Sequence, residues 1–344
     1  MNIELYKEKK KELLATTPLK EDYIFEYDSS PYADEFDNVF SFYQENLQHN
    51  SRYGIEPSIV FFNSNLSINA WASKHNDIYI ISFNMGLVVS LIQMFREKKD
   101  LLTEESNKDF FEFEKNLDNP IYILMHQNCV HFTFYHEMGH LVQKSGLLEN
   151  RLYEHLDNSE GYSERRHLLE LDADEFSAIS IGAHILQYAE NMFGDEVNKT
   201  QFENLIVISC SSVFLYFLSF KSNQRDIYYE KFTHPHPVIR IIWIVFSIVG
   251  YVTRSLEAKG INLGLNGKDV VDKTFEFSES ISDQFFPDDP IEDFNEYLGI
   301  EAMNILAYLT KFQSLKENDN TLAVHKWNQI AQEIKKKENE NKAE

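Results

Sequence analysis

Phe132–Val142 reads FTFYHEMGHLV and holds two histidines four residues apart, with an acid directly after the first. On a helix, residues four apart share a face, so the imidazoles of His136 and His140 can turn toward one metal ion. Glu137 sits one residue round, within reach of a water at such a metal. The spacing calls for Zn2+ as cofactor and hydrolysis as chemistry, and hydrolytic zinc takes three protein ligands and keeps a fourth position open. A third ligand is therefore needed. No histidine follows at the spacing of an H-E-x-x-H-x-x-G-x-x-H extension, since position 146 is Gly and the next histidine is His155. The acids further on serve better. Glu170 and Asp174 lie four apart in the next helical stretch and share a face. Glu170 is the expected third metal ligand, and Asp174 the carboxylate that orients one of the histidines. Asp172 points elsewhere on that helix, toward solvent. Ala173 and Ala178 are small enough to let the two helices approach closely. The plain alternative is that this acidic run is a hydrated helix face in a net-acidic chain.

The elements that must position these groups follow from local pattern. Asn119-Pro120 marks a helix start and Gly146 a C-cap, and the almost unbroken apolar run between them describes a helix buried on most sides. That helix also carries His126, His131 and Cys129, which read as buried histidines and a small core residue. Upstream, Ser58–Phe62 and Asp77–Ser82 have the apolar character of buried strands, with Leu66–Ser73 between them and helical character over Met85–Phe95. Before these come a charged N-terminal helix, an irregular acidic stretch over Glu21–Asp28 and a helix near Asp34–Gln48. Downstream, Ser163 is placed to cap the helix bearing Glu170. Two apolar helices follow, at Leu205–Phe220 and Val238–Val252. Residues 255–300, acidic and with Pro287 and Pro290, read as a surface excursion. An amphipathic helix is expected over Ile300–Leu315, and from Lys316 a solvated helix or frayed tail. The fold class is α+β, mostly helical with a small mixed or antiparallel sheet. The expected divisions are a helical extension (1–57), a metal-bearing domain (58–254) and an acidic helical region with a charged tail (255–344).

Composition narrows the function further. The 344 residues are 43% hydrophobic, enough for a large core, and 32 basic against 55 acidic residues give a net charge of −23. Such a surface repels nucleic acid and anionic lipid. The two cysteines belong to no CxxC pattern, which favours a reducing compartment. The N-terminus, MNIELYKEKKKELL, has no apolar core of a signal peptide, so a cytoplasmic protein is expected. Both apolar stretches fall short of the roughly 20 residues a spanning helix needs, so they read as core helices rather than a membrane hairpin.

H-E-M-G-H followed by E-L-D-A-D resembles the gluzincin metallopeptidases of the CAAX-prenyl-protease and heat-shock-protease (HtpX-type) family, with its H-E-x-x-H and later E-x-x-x-D. Asn69-Ala70-Trp71, with the strand and helix after it, resembles that family's N-A-F segment. Thr233-His234-Pro235, with Arg240 six residues after the histidine, resembles its late T-H-P segment. The resemblance spans about residues 58–245. It implies a zincin-like fold whose antiparallel edge strand receives substrate by β-augmentation. It also implies His136, His140 and Glu170 as zinc ligands, Glu137 as general base and acid, and His234 near the oxyanion. Asn69 and Ala70 would hold the substrate backbone. Arg240 would anchor its segment on the Asp174 side, an ordinary helix N-terminal arginine being the alternative. Family members typically carry long membrane helices, and here there are two short candidates. The resemblance extends to soluble gluzincins such as the Lit-type phage-exclusion and repressor-cleaving peptidases. The expected activity is zinc-dependent cleavage of a protein or peptide substrate. The rival is a zinc-binding interaction protein, inactive or latent until a partner arrives.

Overall fold

A computed structural model describes residues 2–47, 53–100, 108–143, 152–153, 161–194, 197–220, 227–286 and 294–343. Two helices, α1 (Ile3–Thr16) and α2 (Ala33–Leu47), cover one side of a small sheet. Their apolar positions recur every three or four residues, so Tyr6 and Leu13 from α1, and Phe36, Phe40, Tyr43 and Leu47 from α2, are all buried.

The sheet is mixed. Strand β1 (Ser58–Asn63) runs parallel to β3 (Ile78–Asn84), β2 (Ala70–His75) runs antiparallel to β3, and the two-residue β4 (Leu152–Tyr153) pairs antiparallel with β2. The spatial order is β1-β3-β2-β4. Strands β1 and β3 are buried along almost their whole length, as their continuous apolar runs require. Strand β2 is the element least visible locally: AWASKH carries little β-propensity, and it is a strand because a tight hairpin at Asn76-Asp77 folds it against β3. Asn76 takes the left-handed conformation at φ 52°, which asparagine tolerates.

Helix α3 (Met85–Phe95) leaves β3 without a loop, and a Cβ at Gly86 would stand 2.0 Å from the Leu66 carbonyl oxygen, so glycine is required there. A short helix, α4 (Lys108–Glu114), precedes α5 (Ile121–Gln143), the metal-motif helix. Helix α5 begins directly after Asn119-Pro120, but the Ile121 amide is taken up by the Glu114 carboxylate at 2.8 Å rather than by Asn119. The expected cap at Gly146 lies outside the described residues. Helix α6 (Glu164–Phe193) starts at Ser163, whose hydroxyl accepts from the Arg166 amide.

Five more helices complete the body: α7 (Lys199–Leu218), α8 (Pro237–Ala258), α9 (Gly267–Phe285), α10 (Phe294–Glu317) and α11 (Ala323–Ala343). Helix α5 packs on α6, α7, α3 and β2; α6 packs on α8, α10 and α11; and α7 packs on α9. Helices α7 and α8 are 20 and 22 residues long, so they exceed the apolar runs seen in sequence and pass the length and composition test for a membrane span. What marks α7 as a core helix in this fold is burial, which covers 89% of its apolar window, against 56% for α8.

Within the stretch 255–300, α9 is packed into the body and is not a surface excursion. Val270, Val271, Thr274, Phe275, Phe277, Ser278 and Ile281 form the buried face of α9, while Asp269, Asp272 and Glu276 face solvent. The acids dominate its composition, but the apolar period decides its packing. Pro287 and Pro290 lie outside the described residues. The charged end is a helix whose start is buried, with Leu322 and Ala323 inaccessible and Val324 nearly so. Residues from all three expected divisions, from Tyr6 to Val324, belong to one continuous hydrophobic cluster.

Candidate metal centre

Helices α5 and α6 meet closely at the motif. A Cβ at Gly139 would lie 3.1 Å from the Ala173 Cα and 3.3 Å from its Cβ, so the glycine inside HEMGH and the alanine inside ELDAD set the interhelical distance. One turn below, the Ser177 hydroxyl donates to the Phe132 carbonyl at 2.7 Å. This approach brings the side chains of both helices to one point. The Nε2 atoms of His136 and His140 are 3.2 Å apart. Glu170 Oε2 is 3.4 Å from His136 Nε2, and Glu170 Oε1 is 3.5 Å from His140 Nε2. Ligand atoms about 2.0–2.1 Å from a tetrahedral centre stand about 3.3–3.4 Å from one another. The three separations are close to that length, with Glu170 turning one oxygen to each histidine, and the donor set suits a divalent metal. Among the described residues, His136, His140 and Glu170 are the group of three that could hold one.

The surroundings of the two histidines differ. His136 Nδ1 lies 2.9 Å from Asp174 Oδ1. Asp174 in turn accepts two bonds from Arg240, from Nε at 2.8 Å and from the terminal nitrogen at 2.7 Å. Arg240 stacks over Phe217 at 4.7 Å and reaches to 3.7 Å from Glu170 Oε2. Burial alone would depress the His136 pKa, but its bonds to Asp174 and Glu170 outweigh that and raise it to about 10. His140 has no carboxylate behind it. Its Nδ1 is 3.1 Å from Gln143 Oε1, and burial, opposed by the charge of Glu170, lowers its pKa to about 4. Burial works against ionised Glu170 and Asp174, yet both pKa values are lowered: Glu170 by His234, His140 and His136, Asp174 by Arg240.

Glu137 is fully buried on the same helix, and the whole centre is enclosed: Glu170 is 2% exposed, Arg240 3% and His234 6%. His234 stands with Nε2 3.3 Å from Glu170 Oε1 and its Nδ1 2.9 Å from the Thr233 hydroxyl. It therefore adjoins the centre, as its motif suggests. Arg240 is no ordinary helix-terminal arginine, since its guanidinium is spent on Asp174. Asn69 and Ala70 head β2, which packs against α5. Both are buried; the Asn69 side chain accepts from the Ala70 amide at 2.9 Å, and its carbonyl accepts from the Asn84 amide at 3.0 Å. The expected open edge is partly filled, because Trp71 and Ala72 pair with Tyr153 and Leu152 of β4.

The remaining histidines of α5 are not part of the centre. His131 stacks on Phe42 at 4.0 Å and lies 4.7 Å from the His184 ring, while burial holds His126 near pKa 4. Buried His126 Nε2 has no hydrogen-bond partner, so that histidine is not the satisfied core residue expected. Cys129 donates to the Ser212 carbonyl at 3.3 Å as a core residue, and His236 caps α8 by accepting from Val238 N at 3.2 Å.

Asp172 is a correction. It does point away from Glu170, but it is fully buried, because α11 lies on that side. Its Oδ2 accepts from the Ala323 amide at 2.6 Å and from Gln143 Nε2 at 2.9 Å, and its Oδ1 accepts from the Val324 amide at 3.3 Å. Gln143 was missed although it lies three residues past His140, a spacing that places it on the same face. His167 was also missed. Its Nε2 donates to the Phe232 carbonyl at 2.7 Å and its Nδ1 meets the Tyr308 hydroxyl, which ties the segment ahead of His234 to α6 and α10. Comparison with protein-family models, curated proteins and solved structures gives no match to this chain.

Proposed function

We propose that the protein is a zinc-dependent endopeptidase of the gluzincin type. The observation that carries this reading is the convergence of His136, His140 and Glu170, with separations of 3.2, 3.4 and 3.5 Å, and with Glu137 buried one residue after His136. Bound zinc would supply a Lewis acid that polarises a carbonyl and acidifies water. Glu137 then takes a proton from the attacking water and returns it to the leaving amine. In the tautomer whose Nδ1 accepts from the Thr233 hydroxyl, His234 carries its hydrogen on Nε2 and can donate it to the oxyanion. Arg240 and Asp174 keep His136 oriented with its Nε2 toward the centre. The side of β2 beyond Ala72 offers main-chain groups to an extended peptide.

The decisive experiment pairs metal analysis with Glu137→Gln. Wild type and variant should both carry about one zinc per chain, and only the wild type should cleave proteins in a cell lysate. Cleavage that survives Glu137→Gln would remove Glu137 from the reaction. A second reading, latency, is favoured by two observations: the enclosure of the centre and the β4 pairing along β2. A latent enzyme would hold zinc yet leave generic unfolded proteins intact until a partner exposes the site.

A further inference from the structure

The first ligand has a carboxylate behind it, whereas the second has an amide, and an amide can face either way. The Gln143 amide has one orientation only. Its nitrogen donates to two acceptors, the Leu169 carbonyl at 2.8 Å and Asp172 Oδ2 at 2.9 Å, which uses both of its hydrogens. The oxygen is therefore the atom that faces His140 Nδ1 at 3.1 Å. An oxygen there accepts, so Nδ1 must carry the hydrogen, and Nε2 presents its lone pair to the ligand cluster. The Asp172 carboxylate is fixed in turn by the first two amides of α11, from Ala323 at 2.6 Å and Val324 at 3.3 Å.

We propose that Asp172 and Gln143 form a relay that sets the tautomer of His140, and that the start of α11 is its anchor. The C-terminal helix is thereby part of the metal site without supplying a ligand. Asp172 and Gln143 are positioning residues. This rests on the metal-binding reading of the centre, not on its peptidase activity.

Asp172→Ala is the sharpest probe, because it removes the acceptor from Gln143 and the anchor from α11 together. Asp172→Asn is the conservative counterpart: Ala323 and Gln143 donate to one oxygen, Oδ2, so an asparagine oxygen in that place keeps both bonds. The measurements, on the full chain, are competition of Zn2+ against a chromophoric chelator and long-range 1H–15N spectra of the imidazoles. Asp172→Ala should bind Zn2+ about 10-fold more weakly, the lower end of the range typical of a lost partner behind a ligand. Its spectra should no longer show the His140 hydrogen held on Nδ1 alone. Asp172→Asn should stay within about threefold of wild type, with that hydrogen still on Nδ1.

Lys326→Ala is the control. Lys326 docks α11 on the end of α5 through the Val142 and Gln143 carbonyls, at 2.8 and 3.0 Å, without entering the relay. It should keep wild-type affinity. Should Asp172→Ala not fold, Gln143→Ala removes the acceptor while leaving the Asp172 bonds to α11 intact, and the same loss is expected. Affinity within about twofold of wild type with an unchanged tautomer in the alanine variant overturns the relay, as does an equal loss in Lys326→Ala. A wild type that binds no Zn2+ overturns the metal reading itself, and the relay with it.

Discussion

His136 and His140 leave α5 on one face and meet the same Glu170, yet they are held by opposite means. Behind His136 stands a charged stack, Asp174 then Arg240, supplied by α6 and the start of α8. Behind His140 stands a neutral amide, then Asp172, then the backbone of α11, which lies 151 residues further along the chain from Asp172. The electrostatic outcome follows: His136 is pushed up to about 10 and His140 down to about 4. The His136 ring is thus backed by a charged pair, and the His140 ring by a neutral amide. To serve one ion, the two rings would need the same lone-pair orientation, and the chain backs them with very different amounts of charge.

The contrast can be broken most forcefully at Arg240. Arg240→Leu leaves Asp174 buried without its partner, and denaturant unfolding should show a loss of about 3–5 kcal/mol. A loss below about 1 kcal/mol would mean that Glu170, His136 and Asp174 share their charge without needing the guanidinium. Next in size are the two outer partners themselves. Asp174→Asn should weaken Zn2+ binding toward the upper end of about 10–100-fold, and Gln143→Ala toward the lower end, because a charge-assisted bond is stronger than a neutral one. Equal losses in the chelator competition would erase the distinction between the two sides. The smallest effect is expected at Ser177, which ties α5 to α6 below both ligands. Ser177→Ala should lower stability by about 1 kcal/mol and leave Zn2+ affinity unchanged. A fall in affinity there would show that helix spacing limits the centre, and not the partners of each ligand.

The charged side of the centre was legible in the chain because its residues announce themselves. Two histidines and an acid at helical spacing, and a second pair of acids four apart, are rare enough to stand out. Gly139 and Ala173 are the small residues that let those helices touch. The neutral side was not legible. Gln143 is an unremarkable residue at the end of a helix, and Asp172 looks like one more acid in an acidic chain. On a helical wheel Asp172 faces away from Glu170, and that geometry was right. What the wheel cannot say is whether water or another helix waits on that side. The same gap explains α9, where acids counted by composition hid an apolar face, and β2, which pairs well despite weak propensity. His167 belongs here too, since a carbonyl at Phe232 and a hydroxyl at Tyr308 give it a role that no spacing encodes.

By itself, the sequence determined what repeats locally: the helices with a clear period, the two apolar strands, the cap at Ser163, and the grouping of His136 with His140 and of Glu170 with Asp174 on single helix faces. Each depends on residues a few positions apart, where backbone geometry fixes which side chains share a face. The tertiary structure alone decided what lies opposite each face. It seated His167 between Phe232 and Tyr308, paired β4 with β2, and brought the start of α11 against Asp172. Those outcomes depend on contacts between distant parts of the chain, for which local pattern carries no coordinate.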